Sequence, residues 1–178
     1  MENHPLVQAR KAVTIYTDGA CVPNPGVGGY GVVLLYGSRR RELSGGYRLT
    51  TNNRMEVLAA IRGLEALKEP CDVTLFTDSQ YLVQAIVKGW ARRWRAQGWR
   101  RTKTDLAVNP DLWGRLLELC DHHDVHFEWV KGHAGNIENE RCDALAMAAC
   151  HVPNLPADEA YEVVATGGRA TPLLTSVE

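Results

Sequence analysis

Two short runs in this chain read almost alike: Val13-Thr14-Ile15-Tyr16-Thr17-Asp18-Gly19 and Val73-Thr74-Leu75-Phe76-Thr77-Asp78-Ser79. Each is a β-branched and aromatic stretch suited to a buried strand, and each delivers a carboxylate where the strand is expected to give way to a turn. Neighbouring strands lie ~5 Å apart, so parallel pairing in register would set Asp18 beside Asp78. Two carboxylates at that spacing repel by roughly 3 kcal/mol at an effective dielectric of ~20. A fold tolerates such repulsion when a cation lies between the acids. The pair therefore points to a metal site built at adjacent strands.

The remaining segments supply the rest of a sheet. Asn24-Pro25-Gly26-Val27-Gly28-Gly29 reads as a turn cluster, followed by strands over 30–36 and 41–49 with a tight hairpin at Gly37-Ser38. After Thr51-Asn52-Asn53 the period changes: Met55, Leu58, Ala59, Ile61, Leu64 and Leu67 fall at helical spacing, up to a stop at Lys68-Glu69-Pro70. A helix from Ser79 carries Leu82, Ile86 and Trp90 on one face. Asn109-Pro110-Asp111 then has the form of a helix start, with Leu112, Leu116 and Leu119 as its apolar stripe. A strand over 125–130, a glycine-flanked loop and an alanine-rich helix over 137–149 complete the order β-β-β-α-β-α-α-β-α. The fold class is α/β, a five-stranded mixed sheet flanked by helices. Residues 1–12 read as a short extension, 13–150 as one domain, and 151–178 as a mobile tail broken by Pro153, Pro156, Gly167, Gly168 and Pro172. Within that tail, 161–164 has the pattern of a segment that docks briefly as an extended strand.

A chain of 178 residues with 45% apolar content buries a core without disulfides or structural zinc. No apolar run approaches a membrane span, and the first twelve residues lack the apolar core of a signal peptide. Five cysteines without C-x-x-C spacing suit small core residues in a reducing cytoplasm. The net charge of −1 hides an uneven distribution. Lys88, Arg92, Arg93, Arg95, Arg100, Arg101 and Lys103 crowd into sixteen residues that hold no acid. Trp90, Trp94 and Trp99 are interleaved with them, a pattern that suits phosphate neutralisation with base stacking; the competing reading is a solvated face with a tryptophan packing stripe.

Two further acids are ambiguous alone. Glu56 follows Asn53 at the spacing of a helix capping box, and Asp143 sits among Glu138, Glu140 and Arg141 on a helix face that solvent would accept. Together with Asp18 and Asp78 they complete a pattern. Thr17-Asp18-Gly19-Ala20-Cys21 with Asn24-Pro25-Gly26, Thr51-Asn52-Asn53-Arg54-Met55-Glu56, Thr77-Asp78-Ser79-Gln80-Tyr81, and Val130-Lys131-Gly132-His133-Ala134-Gly135 through Glu138-Asn139-Glu140-Arg141-Cys142-Asp143 occur in one order. In these segments the chain closely resembles type 1 ribonuclease H, the bacterial-type enzyme that cuts RNA in RNA–DNA hybrids. Asn136-Ile137 departs from the His-Pro found in many relatives, beside the His133 loop, and removes no acid.

The resemblance implies a ribonuclease H-like fold with the Asp18 strand central and parallel to the Asp78 strand. It implies that Asp18, Glu56, Asp78 and Asp143 hold two Mg²⁺ ions, with Mn²⁺ able to substitute, as an all-oxygen donor set also favours. Asp18 would bridge both ions, Asp143 would serve the nucleophile side, and Glu56 with Asp78 the leaving-group side. The products would carry 5′-phosphate and 3′-hydroxyl ends. His133 would assist proton movement and product departure. Asn24, Asn52, Asn53 and Gln80 are neutral donors and acceptors suited to a ribose 2′-hydroxyl, although turn and cap roles compete for Asn24 and Asn52. Thr51, Trp90 and Asn109 would hold the DNA strand, beside a basic handle over residues 92–103. A monomer acting on a hybrid duplex, with no membrane partner, is expected. Two alternatives stay open: another nuclease of the same fold, such as a transposase or resolvase, and a hybrid-binding protein without catalysis. Intact acids at all four positions argue against the second.

Overall fold

A computed structural model of the chain describes residues 9–167. The chain forms three consecutive strands, β1 (Lys11–Val22), β2 (Gly26–Tyr36) and β3 (Arg39–Thr50), and then the helix α1 (Asn52–Glu65). It continues through β4 (Cys71–Thr77), α2 (Gln80–Val87), α3 (Trp90–Ala96), α4 (Pro110–His122), β5 (Asp124–Trp129), α5 (Ile137–Ala149) and α6 (Glu159–Ala165). The five strands make one mixed sheet in the order β3-β2-β1-β4-β5, so β1 is central. It runs antiparallel to β2 and parallel to β4, and β4 runs parallel to β5.

Alternation along the strands sends neighbouring residues to opposite faces. Val32 and Ile15 face α1, where they touch the helix at Gly63. Gly31, one residue from Val32, faces α5 instead: a Cβ there would stand 2.1 Å from the Cys142 carbonyl oxygen. Only glycine lets the backbone of α5 lie this close to β2, and that contact seats Cys142 and the adjacent Asp143 over the middle of the sheet. On the α1 side the core includes Ile15, Val57, Leu64, Leu75, Leu82, Trp113, Leu116 and Leu117, all fully buried.

The structure corrects the sequence reading at several places. β1 does not end at Asp18; it runs four residues further, paired with β2 from Gly19 against Tyr30 to Val22 against Val27. β2 already begins at Gly26, because the glycines expected to form a turn serve close packing within the sheet. The helix from Ser79 is not continuous. Gly89, at φ +70°, breaks it into α2 and α3, which puts Trp90 at the start of a new helix. Residues 159–165 are helical, not extended: Asp158 is buried and caps α6 by accepting from the Tyr161 N–H. Arg48 pairs with Glu162, and its N–H donates to the Pro156 carbonyl. The remainder of the expected tail, 168–178, lies outside the described residues. The five cysteines are free, with Cys71 and Cys142 buried in the core.

Candidate active site

The parallel register of β1 and β4 runs from Lys11 against Cys71 to Thr17 against Thr77. Tyr16 and Phe76, partners in that register, stack with ring centroids 4.8 Å apart. Asp18 and Asp78 are the next residue on each chain, two steps beyond that stack, so both project from the face covered by α5. Asp18 pairs across β1 and β2 with Gly31, the residue on which α5 rests. Asp143, in the middle of α5, is thereby carried toward both strand acids. Glu56 arrives from α1, where Thr51, not Asn53, is the N-cap: its hydroxyl accepts from the Arg54 N–H at 3.3 Å. The expected capping box does not form. Glu56 instead accepts from Asn52 Nδ2 at 2.7 Å and from the Ser79 hydroxyl.

The four acids share one field. Asp18 is 7% exposed, and its carboxyl is pushed up to about 8 by burial first, then by Asp78, with Asp143 and Glu56 adding to the effect and the Gly19 N–H opposing it. Glu56 is raised by burial and by Asp78, against the Ser79 and Asn52 hydrogen bonds. Asp78 is raised chiefly by burial, with Asp143 acting the same way; its own backbone amide, Asn139 and His133 act against them. No cation among the described side chains pairs with Asp18, Glu56 or Asp78. Among the described residues no three acid, imidazole or thiol groups already enclose a single point as ligands would. The acids face a common space without closing on it. Their chemistry nevertheless fits a hard divalent cation: oxygen donors only, partly desolvated, with uncompensated negative charge.

His133 lies in the exposed loop after β5 at φ +52°, close enough to Asp78 to lower it. Gly132 packs directly on that acid, since a Cβ there would stand 2.5 Å from Asp78 Oδ2. Trp129 donates from Nε1 to the Asp78 carbonyl at 3.1 Å and fixes the backbone at the same point.

The expected substrate residues divide. Asn24, Thr51, Asn53 and Asn109 line one hollow of about 770 Å³, together with Leu106, Val108 and, from α6, Tyr161. Trp90 lines a second hollow with Tyr81, Arg93, Trp94 and Arg101, and Val108 borders both. Asn52 is turned to Glu56, and Asn24 Oδ1 accepts from the Asn52 N–H, so the turn role holds for Asn24. Gln80 is exposed at the start of α2, outside the lining of either hollow. Within the basic segment, Arg92 and Arg95 both pair with Asp121 on α4, while Arg93 faces the tryptophan hollow. Both readings of the tryptophans hold in part: Trp90, Trp94 and Trp99 pack on the core while staying partly exposed.

Sequence reasoning missed Ser79, Asn139, Arg54 and Asp158. Asn139 is 2% exposed, and its side chain faces Asp78, whose carboxyl it helps to lower. A signal existed for Arg54, which precedes Leu58 by four residues and so falls on the buried stripe of α1.

The RNase H family profile matches residues 10–151. The chain belongs to the ribonuclease H family. Within it the chain falls in the type 1 group. A ribonuclease H of Syntrophus aciditrophicus is 68% identical over 152 residues, 85% of this chain and 88% of that one. Among solved structures, LC9-RNase H1 superposes with a TM-score of 0.74 over 96% of this chain and 92% of that one; at 24% identity it speaks to the fold. LC11-RNase H1, solved in complex with RNA/DNA hybrid, is 25% identical with a TM-score of 0.59 over 78% of this chain and 96% of its own.

Proposed function

We propose that this ribonuclease H is an endonuclease that hydrolyses the RNA strand of RNA–DNA hybrids, with Asp18, Glu56, Asp78 and Asp143 holding two divalent cations, Mg²⁺ or Mn²⁺. The observation that carries this reading is that four acids from four separate elements lie near enough to act on one another, with the buried Asp18 carboxyl raised by Asp78, Asp143 and Glu56. Family membership and the hybrid complex of LC11-RNase H1 support the substrate. When bound, the ions would activate the attacking water and stabilise the leaving 3′ oxygen in an in-line displacement, leaving 5′-phosphate and 3′-hydroxyl ends.

The chain's own residues perform the rest. Ser79 and Asn52 orient the Glu56 carboxylate, and Trp129 with Gly132 fixes Asp78. His133, on the exposed loop after β5 and near Asp78, would move a proton there. The hollow lined by Asn24, Thr51, Asn53 and Asn109 offers uncharged partners to sugar and phosphate, and the Trp90–Arg93 hollow offers stacking and charge to the DNA strand.

A panel with the same sequence as hybrid, DNA duplex, RNA duplex and single-stranded RNA tests the reading. Cleavage confined to the RNA of the hybrid and lost in Asp18→Asn and Asp78→Asn, both still folded by circular dichroism, supports it. Cleavage of DNA duplex would return the chain to the other nucleases of the fold. Tight hybrid binding without cleavage at any Mg²⁺ or Mn²⁺ concentration would favour a binding protein.

A further inference from the structure

Arg54 is 4% exposed, and all five of its N–H donors are engaged. Nε and Nη2 grip Asp158 at 2.6 and 2.8 Å, Nη2 and Nη1 grip Asp111 at 2.7 and 3.0 Å, and Nη1 donates to Asn109 Oδ1 at 3.2 Å. One side chain of α1 thus joins the cap of α6, the first turn of α4 and the residue that precedes α4. Asn109 occupies the N-cap position at φ +60°, yet its side chain makes no capping bond. Its oxygen is committed to Arg54 instead. A guanidinium has no acceptor, so it is the oxygen and not the nitrogen of the amide that must face it. Nδ2 makes no hydrogen bond among the described residues, and Asn109 lines the hollow shared with Asn24, Thr51, Asn53 and Tyr161.

We infer that Arg54 is a positioning residue for substrate: it locks the Asn109 amide with its donors available to a backbone phosphate of the nucleic acid, and Asp158 ties that orientation to α6. The inference rests on the hybrid-cleaving reading above. An unrestrained amide presents oxygen and nitrogen with equal ease, and half of those presentations repel a phosphate. An amide clamped through its oxygen presents donors alone, which match an acceptor-only ligand. The C-terminal segment, at first sight an appendage, therefore sets the polarity of a substrate contact on another element. Its docking does not depend on Asp158 alone, because Arg48 holds both Glu162 and the Pro156 carbonyl.

Steady-state kinetics on a labelled hybrid, beside thermal unfolding, test the inference. Asn109→Asp keeps an oxygen for Arg54 and replaces the outward donor by an anionic oxygen. It should hold or raise the melting temperature while increasing KM ~10-fold or more, with kcat changed less than about twofold. Asp158→Asn should raise KM roughly 3–10-fold, and that increase should vanish in an Asn109→Ala background, where no amide remains to orient. A lower melting temperature with unchanged KM in Asp158→Asn would make the clasp purely structural, as would multiplicative effects in the double variant. If Asp158→Asn fails to fold, Asn109→Asp decides alone, and an unchanged KM there overturns the inference. Wild-type protein that cuts no hybrid removes the functional reading and the inference with it, whereas active wild type with independent variants removes the inference only.

Discussion

Asp18 carries the largest electrostatic strain of the site, and the strain has a sign. Its carboxyl is pushed up to about 8 by burial and by Asp78, Asp143 and Glu56, above its ordinary value of 3.8. A carboxyl raised in the folded state favours folding while protonated, and that advantage is lost as pH rises from about 4 through 8. Metal-free protein should therefore melt at a lower temperature at pH 9 than at pH 5. Asp18→Asn should remove much of this fall and raise the pH 9 melting temperature by ~5 °C, about 2 kcal/mol for a domain of this size. Parallel pH profiles for the two proteins would refute this field at Asp18. At Gly132 the issue is space, because its φ lies outside the left-handed region and its missing Cβ would stand 2.5 Å from Asp78 Oδ2. Gly132→Ala should displace that carboxylate, weaken Mg²⁺ binding by calorimetry and slow cleavage ~10-fold or more at little cost in melting temperature. His133→Ala should slow turnover by ~10²–10⁴-fold, the range of a positioned acid or base, and leave Mg²⁺ affinity nearly unchanged. A large loss of affinity would make His133 a ligand.

At the scale of elements, the basic segment is less uniform than its composition. Arg92 and Arg95 are shared with Asp121, whereas Arg93 lines the hollow with Trp90 and Trp94. Arg93→Ala should therefore reduce the salt dependence of hybrid binding by ~1 in log–log slope, and Arg92→Ala by clearly less. Equal slopes for both variants would mean that Asp121 does not divert Arg92. The strands and long helices were readable because their periodicities are strong, and the register of Thr17 with Thr77 follows from two nearly identical runs. What could not be read was set by contacts between distant residues. Nothing local shows that glycines 26, 28 and 29 pack a sheet instead of turning the chain, or that Gly89 breaks a helix whose apolar stripe continues through it. α6 escaped for the same reason: its anchors are Arg48, Thr50 and Arg54, more than a hundred residues earlier.

Across the whole molecule, the site exists only because the fold brings four elements to one place. β1 and β4 supply two acids through their register, α1 supplies Glu56 from just beyond its first turn, and α5 supplies Asp143 because Gly31 lets it lie against β2. The strand acids were legible as a pair from sequence. Glu56 and Asp143, each with an ordinary local explanation, became legible only through the family pattern, and the structure turns Glu56 away from a cap and toward Ser79 and Asn52. The clasp of Arg54 had no sequence reading, since one of its partners lay in the segment read as tail. The central claim is that these four acids work together on divalent cations to hydrolyse RNA in a hybrid. The most direct measurement is cleavage of an end-labelled hybrid across a Mg²⁺ titration, with the termini of the RNA fragments identified. Cleavage that requires Mg²⁺, stops with chelator and yields only 5′-phosphate and 3′-hydroxyl ends is the predicted result; cleavage that persists in chelator, or that leaves 2′,3′-cyclic phosphates, would contradict it.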